Sequence, residues 1–429
     1  MKICFFTKYP PIEGGSSSRS YWLARGLGEK GVEVHIVTDA LEKKLWQEKI
    51  NFENTEDLVN LQPQNVYFHS LDALGERRPD FNKRKNEVEL LKTSSESRLV
   101  NLGLRTIETY GCEIIDSRYF FPYGIAAYFT SKITGRPLIL RHAGSDINRI
   151  LDNVKLRNIF KAIFSEASLI FTSNERAEFF KKLGISPENL YTGINYGIDA
   201  KYFNPNVPPF DFKKYNLDIS SGLPIVTYIG KISPLKGIYQ LVEAASYIKK
   251  DKFLLLFVSD GQGLEDFKRY LKKFSSLRGK YFFLGFVPPW RIPSVLKSSR
   301  CLVQLENDFP FALHFPIQPL EAMAVGVCPL VSEEIRASYN KNLPGLKNGK
   351  NILTVNPKDI RGLKKMLEKI IKDKDWTENI GREANKIFNP QTFPLAISTT
   401  IKIYENLSKR NKSLKKFLEE LEKLIKNFL

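Results

Sequence analysis

Short apolar runs alternate with longer amphipathic stretches from the first residues onward. ICFF (3–6), VEVHIV (32–37), EIID (113–116), PLIL (137–140) and SLIF (168–171) are compact apolar segments. Between them lie stretches with helical character, such as GIAAYFTSKITG (124–135) and the Leu- and Ala-rich segment after the first run. Apolar strands separated by helices predict a parallel sheet covered on both faces. The alternation stops at NPNVPPFDFKKYNLDISSGLP (204–224), whose prolines, glycine and polar residues predict a linker. It then restarts with PIVTYIG, FLLLFVSD, YFFLGFV, CLVQLE, VCPLVS and NILTVNP. The expected architecture is α/β, with two Rossmann-like doubly wound domains: residues 1–205, a linker at 206–223, and residues 224–389. About 40 C-terminal residues carry no strand signal and read as helices, over about 390–429. The charged stretch 41–100 reads as variable surface loops with one strand near NVYFHSL (65–71) and a helix after it.

Composition narrows the function classes. Of 429 residues, 42% are hydrophobic, too many for a disordered chain. Lys and Arg number 65 against 47 Asp and Glu, a net charge of +18 that suits an anionic partner: nucleic acid, a phosphorylated ligand or a membrane surface. No apolar run approaches the roughly 18 residues of a membrane-spanning helix. The start, MKICFFTKYPP, meets a proline pair before a signal-peptide core could form. Cys4, Cys112, Cys301 and Cys328 are scattered without a CxxC, which fits a reducing compartment and speaks against a disulfide framework or a cysteine zinc site.

Four segments could carry chemistry. In PPIEGGSSSRSYWLARGL, Gly14 and Gly15 let backbone approach a ligand, and the serines and following helix present free N–H groups to an anion. An ordinary turn would look the same. In RHAGSDI, His142 stands where a strand ends in a glycine-containing turn, the usual ligand edge of an open α/β sheet. A structural histidine is the plainer reading. In YIGKISPLKGIYQLVEAA, Lys231 and Lys236 stand between Gly230 and Gly237 and before a helix. Such a loop can hold a diphosphate through charge-assisted hydrogen bonds, although it is not a Walker loop. Two solvated lysines are the alternative. In HFPIQPLEAMAVGVCPLVSEE, Glu321 begins a small-residue helix just after Pro319. There the helix dipole keeps a carboxylate ionised, able to accept sugar hydroxyls, unless it is only a first-turn glutamate.

In order along nearly the whole chain, these segments resemble the GT-B glycosyltransferases of family 4, retaining enzymes that use nucleotide sugars. Pro10–Gly15 resembles the first glycine loop, and DSRYFFPYGIAA with PLILRHAGSDI the approach to an HG-type turn. NYGIDAKYFNP is similar to NGVD-x3-F-x-P, and GKISPLKG to G-R-x4-K-G with Lys231 for the usual arginine. SDGQG, YFFLGFVP and PLEAMAVGVCPLVS are similar to later segments, and Glu321 to the second glutamate of E-x7-E. One departure is marked: eight residues before Glu321 stands Leu313, not glutamate. In the family the first glutamate contacts the donor sugar, so this bears on donor choice and on activity. His314 or Glu306 is a candidate for the same space. Lys231 keeps the charge of arginine and loses its fork.

The resemblance implies two GT-B domains facing a central cleft, with C-terminal helices returning to the first. It implies that Gly14 and Gly15 sit beside diphosphate and acceptor, His142 beside the reacting sugar, Lys231 and Lys236 on the leaving diphosphate, and Glu321 on the ribose. The donor would be UDP- or GDP-linked and the acceptor a glycan, a lipid-linked sugar or another molecule. No cofactor and no metal are expected: no DxD follows a strand, and the DKD at 373–375 lies between C-terminal helices. A nucleotide-sugar epimerase of the same fold, a donor-binding protein without catalysis, and a basic nucleic-acid-binding protein are the alternatives. The last needs basic and aromatic residues on one face, whereas the charge here is spread along the chain. No nucleic acid partner is therefore expected, and the expected location is cytoplasmic, including the inner face of the membrane. The tail 408–429 places Leu414, Phe417, Leu418, Leu421, Leu424, Ile425 and Phe428 at helical spacing, with seven basic residues against three acidic ones. It reads as a helix packed on its own chain, on a second copy in a homodimer, or on an anionic membrane.

Overall fold

The computed structural model describes residues 1–39, 59–70, 95–142, 146–147, 150, 153–194, 197–215, 217, 219, 222–261, 263–309, 315–340 and 343–428, the side chains of 70, 154, 412 and 414–428 excepted. It divides into two compact units. One comprises Met1–Ile12, Ser16–Tyr196 and Pro394–Leu429, the other Glu13–Gly15 and Gly197–Phe393. The proline-rich stretch 206–223 thus packs with the second unit, where Phe210 is buried and its N–H donates to Ser298 Oγ at 2.7 Å.

In the first unit, β1 (Lys2–Phe6) leads to α1 (Gly15–Glu29), β2 (Glu33–Thr38) and β3 (Val66–Ser70). Then follow α2 (Ser95–Tyr110), β4 (Ile114–Arg118), α3 (Ile125–Thr134), β5 (Leu138–Arg141), α4 (Val154–Glu166), β6 (Leu169–Phe171), α5 (Asn174–Lys182) and β7 (Leu190–Tyr191). The sheet order is β3-β2-β1-β4-β5-β6-β7, and its pairings are parallel. β1 is nearly dry on both faces, which is why its sequence runs apolar instead of alternating, whereas β4 is as buried yet carries Asp116, Ser117 and Arg118. Ile115, Leu138, Leu140 and Ile170 from the sheet meet Leu99, Leu102, Ala126, Phe160 and Phe164 from the helices in one core.

In the second unit, β8 (Ile225–Ile229), α6 (Ile238–Ser246), β9 (Leu254–Val258), α7 (Leu264–Leu271), β10 (Tyr281–Phe283) and α8 (Ile292–Lys297) form the first half. β11 (Cys301–Gln304), α9 (Gln318–Val325), β12 (Cys328–Ser332), α10 (Glu333–Asn340), β13 (Leu353–Val355) and α11 (Ile360–Lys372) form the second, followed by α12 (Lys374–Ile387). The order β10-β9-β8-β11-β12-β13 is again parallel and doubly wound. The final helix, α13 (Thr392–Phe428), rejoins the first unit. Two Rossmann-like units were expected from the alternation and are present. The short β7 was not foreseen.

Each sheet reverses its winding at one place, between β1 and β4 and between β8 and β11. Open α/β sheets bind ligands beyond the carboxyl ends of the strands at such switch points.

Candidate functional site

In the second unit the loops after β8 and β11 flank the switch point. Gly230 ends β8 with φ +148, and the Tyr228 hydroxyl donates to the Lys231 carbonyl at 2.6 Å, fixing the turn. The chain then makes one 3-10 turn at Pro234–Lys236 and reaches Gly237. Gly237 is left-handed (φ +67), and a Cβ there would stand 2.1 Å from the Leu305 carbonyl oxygen. Only glycine lets the two loops pass this closely. α6 follows at once, so its first N–H groups face the same loop.

Two lysines serve this loop. Lys231 is more than half exposed, and its Nζ lies 3.5 Å from the Glu13 carboxylate, in the short stretch that groups with the second unit. Lys236 pairs with Glu306, at the end of β11, and its Nζ lies 4.9 Å from the centre of the Phe309 ring. Glu306 is 2% exposed, and its carbonyl accepts from Ser332 Oγ at 2.5 Å. The lysine and glutamate thus join the two loops of the switch point. Glu306 was considered above only as a substitute for the missing glutamate. Its pairing with Lys236 is a contact over 70 residues that sequence spacing does not reveal.

Glu321 is 3% exposed in the first turn of α9, which starts at Gln318 and not at the glutamate itself. Its N–H already donates within the helix, to the Ile317 carbonyl at 3.1 Å. Gly14 has φ +113 and lies close to Lys231, where a Cβ would be 3.3 Å from Cε. Gly15 opens α1, and a Cβ there would meet no protein atom within 4 Å. Leu313 and His314 lie outside the described residues, as does the turn 143–145. The DKD at 373–375 caps a helix: Asp373 Oδ1 accepts the Trp376 N–H at 3.0 Å.

His142 belongs to the first unit, immediately after β5. Its Nε2 lies 3.2 Å from the Thr172 hydroxyl, while its Nδ1 is buried without a hydrogen-bond partner among the described residues. Burial, with the nearby cations Arg176, Arg118 and Arg19, pushes its pKa down to about 4. It is therefore neutral near pH 7, a group that can donate or accept a hydrogen bond.

Residues 210–387 match the family described as glycosyl transferases group 1. The matched stretch lies within the second unit. Over a longer span the chain is 26% identical to the Escherichia coli UDP-Gal:alpha-D-GlcNAc-diphosphoundecaprenol alpha-1,3-galactosyltransferase, covering 62% of this chain and 68% of that one. It is 22% identical to the Bacillus anthracis N-acetyl-alpha-D-glucosaminyl L-malate synthase, over 89% of this chain and 90% of the other. Among solved structures it is similar to the sucrose-phosphate synthase of Thermosynechococcus elongatus, with a TM-score of 0.66, 16% identity, and 95% and 98% of the two chains covered. It is also similar to HepE of Anabaena in complex with UDP and glucose, with a TM-score of 0.63, 18% identity, and 95% and 100% covered. At such identities the likeness is one of fold, and the fold is that of GT-B glycosyltransferases.

Proposed function

We propose that this protein is a retaining, family 4 glycosyltransferase that moves a hexose from a nucleotide-diphosphate sugar to an acceptor. The observation that carries the reading is the loop Gly230–Gly237. It sets two lysines and a helix N-terminus at the switch point of the matched domain. Charge develops on the leaving diphosphate, and preorganised cations and N–H groups stabilise it there. Lys231 and Lys236 take that role, Glu321 holds the donor ribose, and Gly14 and Gly15 leave room for donor and acceptor. His142 serves the reacting sugar. The leaving phosphate helps to deprotonate the acceptor on the same face of the sugar, which requires neither an enzymic nucleophile nor a metal.

The donor is UDP- or GDP-linked and the acceptor a glycan or lipid-linked sugar. The diphosphoundecaprenol acceptor in the name of the Escherichia coli relative supports the second. A lipid acceptor places the protein at the cytoplasmic face of a membrane, with 408–429 as its contact. Among the described residues no helix is long and apolar enough to cross one.

Calorimetry with UDP and GDP, then product analysis with candidate acceptors, tests the reading. Lys236→Ala removes a charged hydrogen bond and should weaken nucleotide binding about 10- to 100-fold. It also strips the buried Glu306 of its lysine, which should cost about 3 kcal/mol of stability. Adding Glu306→Gln should restore stability and leave binding weak. Transfer should survive excess EDTA. Unchanged nucleotide affinity in Lys236→Ala would remove the clamp from the mechanism.

A further inference from the structure

The first unit has its own switch point, and a charge surplus sits there. Arg118 ends β4 and Arg141 ends β5, and the two are direct register partners in the parallel pair. Register partners present their side chains on one face of a sheet, so two guanidinium groups stand side by side, an arrangement that repels. Asp116, two residues before Arg118, shares that face. It is already engaged: Arg141 Nε donates to both its oxygens at 3.0 and 2.9 Å, and the Tyr404 hydroxyl donates to Oδ2 at 2.5 Å. One carboxylate therefore serves two arginines.

Arg141 is compensated. Burial opposes its charge most strongly, yet Asp116 and Tyr404 together outweigh burial and hold its pKa above the ordinary value. Its guanidinium also lies 3.7 Å over the Phe171 ring. Arg118 differs. It is 5% exposed, its Nε is buried without a hydrogen-bond partner, and it makes no ion pair among the described residues. Burial, then Arg141 and Arg19, lower its pKa to about 9 against the opposing pull of Asp116 and Tyr404. The terminal nitrogens of Arg141 are likewise buried without a formed hydrogen bond. An uncompensated buried charge is costly, and natural sequences seldom keep one without a use.

We infer that Arg118, with Arg141 beside it, forms an oxyanion-binding site in the first unit, occupied by a phosphate or carboxylate group of the acceptor. A guanidinium fork binds either group through two parallel N–H···O bonds. Such an oxyanion would supply the negative charge that Asp116 cannot share further. The ligand's role as acceptor rests on the glycosyl-transfer reading; the site itself rests on the arginines.

The test is thermal unfolding of the full chain at constant ionic strength, saturated with UDP so that phosphate does not report on Lys231 and Lys236. Inorganic phosphate and acetate are titrated separately, with chloride as the control. Wild type should be stabilised saturably by phosphate, by acetate or by both, and the responding anion tells phosphorylated from carboxylate acceptors. Arg118→Met should raise the apparent dissociation constant of that anion by at least about tenfold. Without anion it should melt above wild type, because it removes an unpaired buried charge. Arg118→Lys should keep part of the anion response. An Arg118→Met chain that melts lower and responds to anions as wild type does would make Arg118 a structural residue and overturn the site, as would a wild type stabilised no more by either anion than by chloride. UDP that leaves the wild-type midpoint unmoved counts against the donor reading alone, and the comparison is then run in the Lys231→Met, Lys236→Met background.

Discussion

His142 illustrates what burial among cations does to a single side chain. Its pKa near 4 lies below the ordinary histidine value, so the unfolded chain binds this proton more readily than the folded one. Its contribution to stability is intact above about pH 6.5 and is lost as the pH falls toward 4, by about 3 kcal/mol in all. His69 follows the same rule, also lowered to about 4, first by burial and then by His35, whose Nδ1 lies 3.0 Å from its Nε2. The first unit should therefore lose stability between pH 6.5 and 4, and His69→Gln should flatten part of that slope in urea titrations at several pH values. Because His142 stays neutral, the kcat profile should show no limb near pH 6.5 arising from it. His142→Ala should lower kcat while leaving nucleotide affinity unchanged, as expected of a contact made in the transition state. A fully active, folded His142→Ala enzyme would return the residue to a structural role.

At the level of elements, the two glycine loops separate folding from ligand binding. Gly237 has both a positive φ and a carbonyl 2.1 Å from where a Cβ would stand, whereas Gly15 has neither constraint. Gly237→Ala should destabilise the second unit by about 2 kcal/mol or more and lose nucleotide binding with it. Gly15→Ala should melt with wild type, so any loss of transfer in that variant belongs to the ligand. Unfolding midpoints and turnover measured on the same samples decide both. The contrast also shows what sequence can and cannot report. Most expected strands were legible because strands buried on both faces are largely apolar, whereas β4 showed only Ile114 and Ile115 before turning polar at Asp116. β7 was not, being two half-buried residues. GKISPLKG was legible because its glycines and lysines are neighbours in sequence. Arg118 was hidden inside DSRYFFPYG, since its significance depends on Arg141, on Asp116 and on a tyrosine 288 residues from that aspartate. Glu306 stood only as a substitute for the missing glutamate until the fold brought Lys236 to it.

Across the whole molecule, the last helix ties the end of the chain to its beginning. Tyr404 is buried with its hydroxyl on Asp116 of β4, and Ser408 Oγ donates to Glu113 at 2.7 Å, within the first unit. Removal of the chain before Tyr404 would strip Asp116 of a buried hydrogen bond and disturb the arginine pair. A chain ending at Leu407 keeps the Tyr404 bond to Asp116, gives up the Ser408 bond to Glu113, and loses the basic, apolar-striped tail. It should therefore fold and bind nucleotide as the full chain does, and differ where the tail alone acts. The tail carries a net +4. At roughly 1 kcal/mol per basic charge near an anionic surface, this gives up to about 4 kcal/mol, near a thousandfold in partitioning. Co-sedimentation with anionic vesicles should then retain the full chain at low salt and release it as salt is raised, while the shortened chain stays in solution. Equal binding by both chains, or by neither at low salt, would remove the membrane role. Light scattering on the same two chains would then show whether the stripe instead joins two copies.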